Sequence, residues 1–200
     1  MKNLPRSAKT LNRILNFCFL IVLAQGIFTV GFHAAALYTT FTDPAVLTEK
    51  MSLSVDWLII HADHGFGIGL DAAVKMKLIQ LLSAAAYSAV GCCAIRVLKN
   101  ILLPIELGQP FRKGISVDLH ALGKHAFRLG LIENLSSLAT VILIENHYGL
   151  PSLLTNDTIT RISISWDSKL AWFIIAIMLS LLAMVFRHGE QLQTLSDETL

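Results

Sequence analysis

Four long apolar stretches occupy most of this 200-residue chain, and they restrict its fold more than any other feature. They lie at about residues 14–38, 77–98, 126–145 and 169–186. An α-helix rises about 1.5 Å per residue and the hydrocarbon core of a bilayer is about 30 Å thick, so about 20 mostly apolar residues cross it. Inside lipid each backbone amide must be satisfied within its own segment, which makes these stretches helices whatever their β-branched content. The fourth, LAWFIIAIMLSLLAMVF, is slightly short but carries no charge. With 54% hydrophobic and 15% charged residues, the composition is far from that of a soluble domain. The expected fold is a single all-α membrane domain with four transmembrane helices, a small extracytoplasmic β element and a cytoplasmic amphipathic helix.

Lys and Arg set the expected orientation. Lys2, Arg6, Lys9 and Arg13 precede the first span. Arg96, Lys99, Arg112, Lys113, Lys124 and Arg128 surround the second connection, and Arg187 follows the fourth span. These eleven face the five of the other side, Lys50, Lys75, Lys77, Arg161 and Lys169. Basic residues are retained on the cytoplasmic side, so both termini are expected inside. The first run is longer than the apolar region of an ordinary signal peptide, and three more spans follow it.

The loops carry their own periodicities. Met51, Leu53, Val55, Trp57 and Ile59 alternate with Ser52, Ser54, Asp56 and Leu58, and Ile162, Ile164 and Trp166 alternate with Ser163, Ser165 and Asp167. A period of two predicts half-buried strands, here paired on the outer side. The inner connection, expected from Lys99 to His125, opens with Pro104 and a Gly108-Gln109-Pro110-Phe111 turn. Ile115, Leu119, Leu122 and Ala126 then mark one helical face, which predicts an amphipathic helix at the inner surface leading into the third span.

Catalytic and metal patterns are weak. His61, Asp63 and His64 are sound zinc ligands by type, but no second cluster supplies the remaining partners of a fixed site. Gly65, Gly67 and Gly69 lack the strand–turn–helix setting of a nucleotide loop. No serine elbow occurs, and Cys18, Cys92 and Cys93 give neither a disulfide framework nor a metal spacing. No enzyme activity, cofactor or direct contact with nucleic acid is expected. Intramembrane polar residues weigh more, because their burial in lipid is costly. Glu133 can pair with Arg96 or Arg128, and His33 shares one side of the first span with Gln25. A transporter or ion-coupled permease using Glu133 and His33 is the alternative function. Two rows of small residues, Ala84/Ser88/Cys92 and Ala85/Ala89/Cys93, predict close helix packing by the second span.

Two segments carry a resemblance. The Gly108-Gln109-Pro110-Phe111 turn with its amphipathic continuation, and the tail Phe186-Arg187-His188-Gly189-Glu190-Gln191-Leu192-Gln193 ending Asp197-Glu198-Thr199-Leu200, resemble the domain-of-unknown-function family 2975 of bacterial membrane proteins. Arg112-Lys113-Gly114 departs from that family's Ser/Thr-acidic pattern, and His120 stands where an arginine is usual. The tail agrees at Phe186, Gly189, Leu192, Gln193 and Asp197. The resemblance implies a regulatory or sensory membrane protein that docks a small helix-turn-helix transcription factor. The docking residues it points to are Pro110, Phe111, Leu119, Leu122, Phe186, Gly189, Leu192 and Gln193.

Overall fold

The computed structural model describes residues 4–42, 52–55, 58–62, 69–107, 113–148, 159–164 and 170–198. In chain order the elements are α1 (Leu4–Thr42), β1 (Ser52–Val55), β2 (Leu58–Ala62), α2 (Leu70–Glu106), α3 (Ile115–Tyr148), β3 (Ile159–Ile164) and α4 (Ala171–Glu198). Among the described residues four helices are long and apolar enough to cross a membrane, over Thr10–Thr42, Leu70–Ile105, Ile115–His147 and Ala171–Leu195. Their apolar side chains face outward in a way water would not tolerate; Phe28 of α1 is 74% exposed. Such surface is stable against acyl chains, where helices associate by close packing and not by hiding apolar area. The chain is therefore a multi-pass membrane protein.

Two boundaries differ from the sequence reading. Pro104 does not open a loop: α2 runs through it to Glu106, with Pro104 buried. Proline removes one i to i−4 hydrogen bond, and α2 ends two residues beyond it. Nor does the helix of the third span begin at 126: the stretch from Ile115 to Ala126, read as an amphipathic helix leading into that span, joins it without a break. It is the start of α3, continuous for 34 residues.

The three strands form a sheet in the order β1-β2-β3. β1 pairs antiparallel with β2, Leu53 opposite Ile60, and β2 pairs antiparallel with β3, Ile60 opposite Ile162. The alternating run 51–59, read as one strand, is thus divided between two strands of a hairpin. A bulge lies between His61 and Ala62.

Contacts gather into two compact units. The first is Met1–Gly26, Tyr87–Leu131 and Leu170–Leu200; the second is Ile27–Ala86 and Ile132–Lys169. Eleven Lys and Arg residues belong to the first and five to the second, the same division that the sequence assigned to inside and outside. The first unit has a core of Ile101, Ile115, Leu119 and Ala183, with Val97, Ile105, Leu122, Leu179 and Phe186 packed against it. The second buries Ala72, Ala73, Met76 and Ile144, together with the polar Thr40, Ser137 and Thr140.

Candidate functional site: the α3–α4 seam

The seam between α3 and α4 begins at Gly114, whose φ of 109° lies in a region open to glycine and costly for other residues. α3 starts at the next residue, and its first N–H groups have no partner within the helix. The Glu190 carboxylate of α4 supplies one. The Ser116 N–H donates to Glu190 Oε1 at 2.8 Å, and Ser116 Oγ donates to Oε2 at 3.0 Å. Ser116 is 7% exposed and Glu190 is half-buried, so the pair is partly withdrawn from solvent. A carboxylate at a helix N-terminus is further favoured by the helix dipole. Glu190 therefore ties the end of the fourth helix to the start of the third.

Below this clamp two glycines keep the helices close. A Cβ at Gly123 would sit 3.2 Å from the Ala176 carbonyl oxygen, and one at Gly130 would sit 3.0 Å from Trp172 Cβ. Phe127 and Phe173 meet edge-on, with ring centroids 5.3 Å apart. The contacts 116–190, 123–176 and 130–172 show that α3 and α4 run antiparallel in this unit. They also set the level of one helix against the other. The apolar run 172–186 lies beside about 116–130 of α3, whereas the sequence placed the third span at 126–145. Lys124, His125 and Arg128 consequently lie alongside apolar α4.

Two concavities follow the seam. One of about 1040 Å³ is lined by residues including Lys113, Val117, His120, Met184, Arg187 and Gln191. The other, about 390 Å³, is lined by residues including Lys124, Phe127, Phe173, Ile177 and Leu181. Ser180 borders both.

The docking candidates fall into three groups. Pro110 and Phe111 lie outside the described residues. Leu119, at 6% exposed, is in the core, and Leu122 and Phe186 pack against it, so these three side chains are engaged within the chain. Gly189 is half-buried, Gln193 is exposed, and Leu192 is 68% exposed. The residue the sequence reading passed over is Glu190; the glycine that precedes α3 has no side chain to cap it, which leaves the first N–H groups of the helix open to an acceptor from elsewhere.

Other candidates separate similarly. His61 stands on β2, while Asp63, His64, Gly65 and Gly67 lie outside the described residues, among which no group of three metal-ligating side chains occurs. Gly69 admits the His147 ring, whose Nε2 would be 2.9 Å from a Cβ. Arg96 lies over the Phe19 ring at 5.9 Å and Lys99 at 4.8 Å. Glu133 makes no ion pair among the described residues; Asp71 pairs with Lys75 at 2.6 Å. Five residues from Arg128, Glu133 misses the i,i+4 spacing that brings helical side chains together. Of the two small rows on α2, Ser88 and Cys92 are half-buried, and Ser88 fills the space against Gly26. Ala85, Ala89 and Cys93 face outward. No family model, curated protein or solved structure matches the chain.

Proposed function

We propose that this is a non-enzymatic regulatory or sensory protein of the bacterial inner membrane. Both termini are cytoplasmic, the sheet is extracytoplasmic, and the end of α4 serves as a docking surface for a cytoplasmic regulator. The observation that carries this reading is the exposed end of α4. The helix continues to Glu198, and Leu192 and Leu195, 68% and 59% exposed, stand three residues apart on one face. Large apolar groups at the centre of a patch are what a partner helix recognises. The Glu190–Ser116 clamp supports it by fixing that end on α3. A small helix-turn-helix transcription factor is the partner implied by the resemblance to family 2975, and DNA contact would belong to that factor. The amphipathic beginning of α3 then holds the docking helix without itself meeting the partner.

Co-purification from membranes of the native host tests the reading. Leu192→Asp with Leu195→Asp is expected to abolish capture of a DNA-binding protein while leaving the thermal transition in place. Deleting 187–200 is a poorer test because it also removes Glu190. Capture that survives the double substitution would refute this face as the site.

A second reading, transport, draws on His33 Nδ1 and Ser137 Oγ, both buried without a hydrogen-bond partner among the described residues. It requires flux in proteoliposomes that Glu133→Gln or His33→Gln abolishes. Proteoliposomes without flux end it.

A further inference from the structure

We infer that the α3–α4 seam binds one anionic phospholipid. Its acyl chain lies in the furrow lined by Phe127, Phe173, Ile177 and Leu181, and its phosphate lies between Lys124 and Arg187 at the level of His120. The inference rests on the multi-pass membrane fold and is independent of the docking reading.

The furrow opens on helix surface that only a bilayer can solvate, and its lining is apolar except for Lys124 and Ser180. The Ser180 hydroxyl already donates to the Ala176 carbonyl at 2.9 Å. Lys124 is the anomaly. The close approach at Gly123 sets it beside the apolar middle of α4, and it has no acidic partner among the described residues. A charge at that depth is costly unless it snorkels to a headgroup or meets an anion. Its methylene stem can follow the furrow toward the clamp end, where the larger concavity begins.

That concavity supplies the remaining groups. Lys113, His120 and Arg187 line it, and none has an ion-pair partner among the described residues. Glu190 and Glu198 line it too. Glu190 is held by Ser116, which places its charge on the α3 N-terminus, and Glu198 is the last residue of α4, at the far end of the groove. From the contact register, Arg187 lies about nine residues in level from Lys124, about 13 Å at the helical rise, with His120 between them. An apolar slot that ends in cations with one anion position between them matches a phospholipid better than a soluble anion, which would leave the furrow unfilled.

Titration of the detergent-purified full-length chain with phosphatidylglycerol, phosphatidylcholine of the same chains, and inorganic phosphate, read by native mass spectrometry, tests this. Phosphatidylglycerol is expected to give one saturable adduct, and phosphatidylcholine to bind weakly. Lys124→Gln and Arg187→Gln should each weaken phosphatidylglycerol about fivefold, the worth of one basic residue near a membrane surface. Lys124→Arg should retain it, and serves as the reference should the glutamine variant fail to remain monodisperse. Equal binding of the two lipids, or unchanged binding in both glutamine variants, overturns the proposal. Displacement of the lipid by millimolar phosphate overturns it in favour of a soluble anion.

Discussion

Glu190 shows how a single side chain organises a helix boundary. Its two oxygens satisfy a backbone donor and a hydroxyl of a residue 74 positions away. Hydrogen bonds to a charged group contribute roughly 1.5–3 kcal/mol, and the buried partners left behind add their own desolvation cost. Glu190→Ala should therefore lower stability by about 2 kcal/mol or more, seen as a lower melting temperature in detergent and faster proteolysis near residue 190. Glu190→Gln keeps one acceptor and should fall between. If neither variant shifts the melting temperature, the clamp is not a stabilising feature. The sequence could place Glu190 on the tail but not opposite Ser116, because that pairing depends on the fold.

At the scale of the helix, close approach is what small residues provide. A Cβ on Gly26 would lie 2.8 Å from Ser88 Cβ, closer than side chains pack. The same atom on Gly91 would meet Val22 Cγ1 at 3.6 Å, an ordinary contact. Gly26→Ala should thus force the α1–α2 contact apart and cost about 1–3 kcal/mol. Gly91→Ala should be neutral or stabilising by about 0.5–1 kcal/mol, since alanine leaves the unfolded chain less conformational freedom than glycine does. Thermal unfolding of both variants decides it, and equal losses would show that size at position 26 is not the determinant. The small rows on α2 were legible as packing surfaces. Which row packs was not, because both share the same period and only the position of α1 distinguishes them. The loop alternation likewise pointed to strands at 51–59 and 162–167, but the division at Val55 and Leu58 depends on a hairpin that a period of two cannot reveal.

For the whole molecule, orientation is the property most open to experiment. Reporters fused at the two termini should behave as cytoplasmic, and alkaline phosphatase inserted near residues 46 and 155 should be active outside. The opposite pattern would invert the proposed docking face. The sequence alone determined that this chain crosses a membrane four times and how its charges divide. Spans need only length and apolarity, and orientation needs only local counts of Lys and Arg. Tertiary structure alone decided the level at which α4 meets α3, and with it the surroundings of Lys124, the burial of Leu119 and the clamp by Glu190. Apolarity fixes that a helix lies in lipid, but within the hydrocarbon core it sets a helix's height only coarsely, to within the slack that tilting and snorkelling flanks allow. The relative height of two helices is therefore set by steric fit at Gly123 and Gly130, a relation between side chains distant in the chain.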